Sequence, residues 1–253
     1  MPTVLIIGAT RGLGAALTEQ YAAQKDTTVL ATGRSPASLD SAPSKDNIHW
    51  ITGIDIGAED AGPKLITALQ QEKVSAIDLV IITAGYFGKE SFDEPNFADQ
   101  LQMYRTSAIG PVFLIHHLVK GGLLRQREAG GSGDGKASGP ARSKIILVSS
   151  ESGSITLRHA SEGGGNYGHH ASKSALNMAG KLLSLDLADK GIAVGMVHPG
   201  FMRTEMTKSV GFDKFWDQGG AVTPDVAAAS LIDFVTGFNL DRTGEYWAPR
   251  GPG

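Results

Sequence analysis

Two neighbouring histidines in the run Tyr167-Gly168-His169-His170-Ala171-Ser172-Lys173 are the side chains best suited to proton transfer. Imidazole titrates near neutrality and is the commonest general acid or base in proteins. Lys173 stands four residues after His169, and its ammonium should favour the neutral form of the ring. His169 could therefore exchange a proton with an alkoxide near neutral pH.

A glycine-rich turn near the N-terminus predicts a phosphate site. The apolar run Val4-Leu5-Ile6-Ile7 indicates a buried strand, and apolar residues at helical spacing follow the turn from Ala15 onward. Between them lie Gly8, Thr10, Arg11, Gly12, Leu13 and Gly14. Glycines permit the tight turn, and N–H groups at a helix start bind anions. Ordinary loops also contain glycines, but the strand and helix on either side favour a dinucleotide-binding turn.

The elements that must position these residues alternate along the chain. Strands are predicted at 27–32, 48–51, 78–82, 144–148 and 192–197, and helices at 66–71, 97–124, 167–190 and 221–237. A last edge strand is predicted at 245–247. This alternation predicts one α/β domain over 1–253, a Rossmann-type doubly wound parallel sheet with helices on both faces. Ligands of such sheets bind at the carboxyl ends of the strands.

Two stretches interrupt the alternation. Residues 129–143 are rich in Gly, Ser and Lys and predict a flexible surface loop. Residues 201–220 combine glycines with large apolar side chains and predict a lid or substrate wall, although a plain core segment is an alternative.

Composition excludes several classes of function. The chain has 253 residues, a net charge of −3 and no cysteine. The charge balance gives no sign of a nucleic-acid or membrane partner. Without cysteine there is no disulfide or thiol nucleophile, and no His or carboxylate cluster has the spacing of a metal site. The first strand begins near Met1, so no signal peptide is expected and a cytoplasmic location is predicted.

Five ordered motifs make the chain similar to the short-chain dehydrogenase/reductase family, in its carbonyl-reductase-like branch. They cover nearly the whole length, and Ile7 replaces the threonine that leads the family's TGxxxGxG turn. The motifs are Gly8 to Gly14, Thr83-Ala84-Gly85, Ser149-Ser150-Glu151-Ser152-Gly153, Ala171-Ser172-Lys173 and Pro199-Gly200-Phe201-Met202-Arg203-Thr204.

The resemblance implies roles for these positions. The serine that holds a substrate carbonyl corresponds to Ser150, and the lysine that binds the nicotinamide ribose corresponds to Lys173. The proton-donating tyrosine is replaced by His169, and the asparagine of the family's water relay is replaced by Ser107. Further cofactor contacts are implied at Asp55, Ile56, Ala84, Gly85, Pro199, Gly200, Met202 and Thr204.

Three interpretations of the proton donor remain open. His169 could act, but imidazole reaches less far than phenol by roughly 2 Å, most of a hydrogen bond. Tyr167 could act if the helix begins after it, since residues two apart do not share a helix face. Alternatively, the usual redox chemistry is lost. His170 is predicted to be structural or exposed.

The end of the second strand predicts the cofactor. Its sequence, Ala31-Thr32-Gly33-Arg34-Ser35, lacks the carboxylate that takes the ribose hydroxyls of NAD. Arg34 offers a planar donor fork suited to a 2′-phosphate, and Arg11 is a second cation nearby. NADP(H) is therefore predicted, although Arg34 could instead be a solvated loop residue.

The leading functional hypothesis is an NADP(H)-dependent reductase of a ketone or aldehyde on a hydrophobic small molecule. A second hypothesis keeps the cofactor site but not net hydride transfer, as in an isomerase, dehydratase or cyclase. A third is a nucleotide-sensing or scaffold protein without catalysis. The resemblance also implies a homodimer or homotetramer that pairs through the two long central helices.

Overall fold

Eight strands form the central layer of the computed structural model, which describes residues 1–40, 42–127, 138–158, 160–249 and 251–252. The strands are β1 (Thr3–Ile7), β2 (Thr28–Thr32), β3 (Ile48–Ile51), β4 (Leu79–Ile82), β5 (Ser143–Val148), β6 (Ile192–Val197), β7 (Tyr246–Ala248) and β8 (Gly251–Pro252). They form one sheet in the order β3-β2-β1-β4-β5-β6-β7-β8. Neighbours pair in parallel, except that β8 runs antiparallel to β7.

Helices cover both faces of this sheet, as the predicted doubly wound fold requires. They are α1 (Gly12–Ala22), α2 (Ala61–Gln71), α3 (Phe97–Tyr104), α4 (Gly110–Lys120), α5 (Tyr167–Leu187), α6 (Glu205–Ser209) and α7 (Pro224–Gly237). Short 3₁₀ segments lie at Pro36–Leu39, Glu151–Gly153, Ala160–Glu162, Ala188–Lys190, Phe212–Phe215 and Leu240–Arg242.

Alternate side chains of β1 to β6 supply two separate cores. In β1, Val4 and Ile6 belong to the core that α1 and α7 cover, whereas Leu5 and Ile7 belong to the core that α2, α4 and α5 cover. This arrangement follows from the two-residue period of a strand, because both faces of a central parallel strand are buried. The continuous apolar runs in the sequence are explained by these two cores.

The predicted helix at 97–124 was too long and too regular. The residues form α3, a π-helical segment (Arg105–Ile109) and α4, which ends at Lys120. Gly121 and Gly122 follow, and Gly122 has a φ of +69°, which favours glycine and ends the helix. Beyond them Leu124 forms a bridge with Ile77. The helix predicted at 66–71 begins earlier, at Ala61.

Two further boundaries differ from the prediction. The strand predicted at 245–247 begins at Tyr246 and is not at the edge of the sheet, because the chain reverses and β8 pairs outside it. Within the predicted loop at 129–143, residues 129–137 lie outside the described part of the chain. Its last residue belongs to β5: the Ser143 hydroxyl is buried, donates to the Ile77 carbonyl and accepts from the Arg125 N–H.

Among the described residues, none of the helices combines the length and the apolar character that crossing a bilayer would require.

Candidate active site

A cavity of about 1190 Å³ lies at the carboxyl ends of the strands and collects almost every predicted site residue. Of the predicted catalytic and cofactor-binding positions, only Tyr167 is not part of its lining. The others are Gly8, Thr10, Arg11, Gly12, Leu13, Gly14, Arg34, Asp55, Ile56, Ala84, Gly85, Ser150, His169, Lys173, Pro199, Gly200, Met202 and Thr204.

The glycine turn between β1 and α1 forms one end of this cavity. Gly8 has a φ of +88°, and a Cβ there would lie 2.8 Å from the Ala84 backbone at the end of β4. A Cβ on Gly14 would overlap the Gly8 carbonyl oxygen. No side chain caps the first turn of α1, so its N–H groups remain available to an anion in the cavity.

The adenosine end of the predicted cofactor site lies beside the ends of β2 and β3. Arg34 is exposed at this rim, and Asp55 and Ile56 line the cavity after β3. The Asp55 carboxylate accepts a hydrogen bond from the Gly57 N–H at 3.0 Å. The Thr32 hydroxyl accepts from the Gly8 N–H at 3.1 Å, which ties the β2 end to the glycine turn. A cation and a polar rim at this end fit the phosphorylated ribose of NADP(H).

Helix α5 carries His169 and Lys173. A carboxylate that is distant in the sequence accepts a hydrogen bond from its first turn. The Glu90 Oε1 accepts from the Gly168 N–H at 2.6 Å, and its Oε2 accepts from the Gln100 side chain at 2.8 Å. Burial acts to raise the pKa of Glu90, but these hydrogen bonds and one from the Asn96 N–H outweigh it and hold the pKa below the usual value. Glu90 is thus ionised at neutral pH and suits the positive end of the helix dipole.

His169 lies against an aromatic side chain that belongs to none of the sequence motifs. The Phe87 ring stacks on the imidazole at 4.0 Å with an interplanar angle of 12°, and Phe212 meets Phe87 edge-on at 5.8 Å. Burial, followed by the charges of Lys173 and His170, lowers the pKa of His169 to about 3. The ring is therefore neutral near pH 7, the direction that the neighbouring lysine predicts.

Ser152 connects the predicted catalytic serine to this imidazole. Its N–H and its hydroxyl both donate to the Ser150 Oγ, at 3.2 Å and 2.8 Å. The Ser152 Oγ also lies 3.3 Å from the His169 Nδ1. The local signal for Ser152 was present in the serine-rich run after β5, but its contact with His169 depends on the packing of α5.

Lys173 lies one helical turn after His169 and is almost completely buried, with 8% of its surface exposed. Its ammonium donates to the Val148 carbonyl at 2.9 Å, and burial lowers its pKa to about 8. An ammonium has three donors, so this bond leaves others for a ligand in the cavity.

Tyr167 does not occupy the position that its proposed role requires. α5 begins at Tyr167 and not after it, and 41% of the Tyr167 surface is exposed. Since residues 167 and 169 do not share a helix face, the structure brings His169 into the cavity and leaves Tyr167 outside. His170 lines the cavity farther out, where its Nδ1 lies 2.8 Å from the Asn166 carbonyl and its Nε2 lies 3.2 Å from Arg158.

Ser107, at the family's asparagine position, lies buried in the π-helical segment. Its hydroxyl has no hydrogen-bond partner among the described residues, and it does not line the cavity. A second acid–base pair does line it: the Glu151 Oε2 lies 3.7 Å from the His198 Nε2.

The segment 201–220 provides part of the cavity wall. Thr204 caps α6 through reciprocal bonds with Thr207, and Phe201, Met202, Met206 and Phe212 line the cavity. Phe215 and Trp216 of the same segment do not. The first part of the segment therefore fits the predicted wall, whereas Phe215 is 55% exposed and Trp216 donates to the Thr207 hydroxyl at 3.2 Å.

A parallel sheet with a glycine turn at its first crossover, and with Ser150, His169 and Lys173 on the same cavity, defines a dinucleotide-binding α/β protein of the Rossmann type. The family model described as short chain dehydrogenase matches residues 2–214. The chain therefore belongs to the short chain dehydrogenase family.

Individual relatives extend this similarity over nearly the full length. The short chain dehydrogenase gsfK of Penicillium aethiopicum is 29% identical over 256 residues, covering 96% of this chain and 95% of the relative. The carbonyl reductase Sniffer of D. melanogaster is 25% identical, with a TM-score of 0.81 and coverage of 99% and 98%. The NADPH-bound carbonyl reductase from chicken fatty liver, 23% identical, has a TM-score of 0.85 and coverage of 99% and 93%.

Proposed function

We propose that this protein is an NADP(H)-dependent reductase of a ketone or aldehyde carried by a hydrophobic small molecule. It would act as one domain over 1–253, and we retain the cytoplasm as its predicted location. The observation that carries the proposal is the contact chain from Ser150 through Ser152 to His169 beside Lys173, in the cavity that also contains the glycine turn. In this proposal Ser150 orients the carbonyl, and His169 occupies the place of the proton donor.

The residues on the cavity fit NADP(H) along its length. The first turn of α1 would hold the pyrophosphate, Asp55 and Ile56 the adenine, and Lys173 the ribose next to the nicotinamide. When bound, the reduced nicotinamide would supply the hydride. NADPH is bound by the chicken carbonyl reductase, which supports the same choice of cofactor here.

Arg34 should determine the preference for NADPH over NADH. Arg34→Ala is expected to weaken NADPH binding about 10- to 100-fold, because a charge-assisted hydrogen bond contributes about 1.5–3 kcal/mol. NADH binding should change less than threefold, which titration calorimetry with both cofactors would measure. The exposed Arg105, which does not line the cavity, provides the control Arg105→Ala. Equal loss for both cofactors would contradict the assignment of Arg34 to the 2′-phosphate.

Apolar side chains on the cavity favour an apolar substrate. Phe87, which stacks on the His169 ring, lines the cavity together with Phe201, Met206 and Phe212. Burying apolar substrate surface against such a wall contributes roughly 25 cal/mol per Å². A small hydrophilic carbonyl compound would gain little from these side chains.

The test is NADPH oxidation against a panel of hydrophobic ketones and aldehydes, with the His169→Tyr variant assayed in parallel. Turnover by the parent protein that exceeds turnover by the variant would support His169 as an adapted proton donor. Turnover by the variant alone would show an intact scaffold from which redox chemistry has been lost.

One observation favours the non-redox alternative. A His169 pKa of about 3 leaves few imidazolium groups at neutral pH, which suits a base better than an acid. An isomerase, dehydratase or cyclase would convert substrate with no net change in the cofactor. Product analysis in the absence of NADPH oxidation would identify that class, and cofactor binding without any turnover would indicate a sensing protein.

We also propose a homodimer or homotetramer that forms through α4, α5 and the π-helical segment between α3 and α4. Five large apolar side chains of these elements are about half exposed or more: Ile109, Phe113, Met178, Leu182 and Leu185. A second copy would remove this surface from water. Light scattering should give at least twice the chain mass of 26.5 kDa, and a monomeric mass at micromolar concentration would contradict the proposal.

A further inference from the structure

We infer that Ser152 is a positioning residue that joins His169 to Ser150 and selects the tautomer of the imidazole. An imidazole reaches less far than the phenol that it replaces. The two serines would bridge the remaining distance between the His169 ring and the substrate oxygen. This inference deepens the proposed reductase function and rests on it for its catalytic consequence, but its structural part can be tested without catalysis.

The hydrogen bonds around Ser150 fix the direction of its own proton. A hydroxyl oxygen has one donor and two acceptor positions. The Ser150 Oγ accepts from both the N–H and the hydroxyl of Ser152, so its acceptor positions are filled. The Ser150 proton is therefore left to donate, and Ser150 lines the cavity in which a carbonyl oxygen would accept it.

The same reasoning assigns the proton on His169. The single hydroxyl proton of Ser152 is already directed at Ser150, so Ser152 can only accept from the imidazole. The His169 Nδ1, 3.3 Å away, must then carry hydrogen, and in the neutral ring the Nε2 must be the unprotonated nitrogen. Phe87 stacks on the ring at 4.0 Å and holds its plane in the orientation that this contact requires.

A balanced proton path follows from this arrangement. The imidazole first takes up one proton from water at Nε2. As hydride addition at the carbonyl carbon turns the oxygen into an alkoxide, Ser150 donates its proton to that oxygen and receives the proton of Ser152. Ser152 in turn receives the Nδ1 proton of His169. The net change is one proton moved from water to the product alcohol. His169 is left neutral with its proton on Nε2, and it returns to the Nδ1 tautomer by taking up a proton from water at Nδ1 and releasing one at Nε2.

The first test measures the tautomer in the full-length protein without any ligand. In protein labelled with ¹⁵N-histidine, the His169 signals are identified by their absence from the His169→Phe variant. We expect the pattern of a neutral ring protonated on Nδ1 in the parent protein and in Ser152→Thr. The Ser152→Ala variant should shift towards the Nε2-protonated tautomer. An unchanged tautomer in Ser152→Ala would overturn the inference, whether or not the protein reduces carbonyl compounds.

The second test measures catalysis on whichever carbonyl substrate the panel identifies. Ser152→Ala should lower kcat for reduction about 10²-fold, the lower end of the contribution of proton transfer, with KM and NADPH affinity unchanged. Ser152→Thr should retain kcat within a few-fold, because it keeps the hydroxyl. Ser230→Ala, an exposed serine on α7 that does not line the cavity, is the matched control. An equal loss in the alanine and threonine variants would indicate a packing role and overturn the proton path.

Discussion

Replacing His169 by phenylalanine should lower kcat for carbonyl reduction by about 10²- to 10⁴-fold, the range that a positioned general acid contributes. The fold should tolerate the change, because a phenyl ring can keep the stacking on Phe87 that the imidazole makes. NADPH affinity should stay within about threefold, since the predicted phosphate and ribose contacts lie on other residues. Stopped-flow measurement of NADPH oxidation in a single turnover would separate this chemical step from product release.

His116→Phe is the matched control for this variant. His116 is an exposed histidine on α4 that does not line the cavity, so the same substitution there should leave the single-turnover rate unchanged. If His169→Phe retained the parent rate within threefold, the proton would have to come from another group. The pair formed by Glu151 and His198 on the same cavity would then be the first to examine.

The single-turnover rate of reduction should fall about tenfold for each pH unit, or about 10³-fold from pH 5 to pH 8, if the imidazolium of His169 supplies the proton. The His169 pKa of about 3 lies below this whole range, so the protonated fraction decreases in proportion to the proton concentration. A rate that is constant from pH 5 to pH 8 would contradict an imidazolium donor.

The stability of the folded protein should limit how far the rate measurement can be extended to acid pH. The pKa of His169 falls from 6.5 to about 3 on folding, so between these values the unfolded chain binds the proton and the folded chain does not. The contribution of His169 to the free energy of unfolding should therefore be complete above pH 6.5 and decrease as the pH falls towards 3. Circular dichroism at each assay pH would separate loss of fold from the expected gain in rate.

Local signals in the sequence predict much of the fold because they are repeated along the chain. The apolar run before Gly8 and the turn that follows it can be identified from neighbouring residues alone, and the same holds for β4, β5 and β6. The end of α4 at Lys120 was missed because Leu123 and Leu124 continue an apolar pattern beyond the glycines. β8 was missed because a two-residue strand carries no periodicity, and its pairing depends on the reversal after β7.

The same difference between local signals and contacts distant in the sequence applies to the candidate site. Ser150, His169 and Lys173 were predicted as site residues from short motifs that resemble those of the family, and the structure places all three on one cavity. Phe87, Ser152 and Glu90 were not singled out, because their contacts with α5 join distant parts of the chain. Glu90 binds the Gly168 N–H across 78 positions, and no local pattern distinguishes such a residue from a solvated loop glutamate.

The antiparallel strand β8 affects whether the edge of the sheet can pair with strands of other molecules. An uncovered strand exposes a row of N–H and C=O groups that can template cross-strand aggregation. Here β7 is covered by β8, in which Pro252 pairs with Trp247 and, as proline, offers no N–H to an incoming strand. At the opposite edge β3 has only four residues and includes the exposed His49. Both margins of the sheet should therefore be poor templates for the addition of further strands.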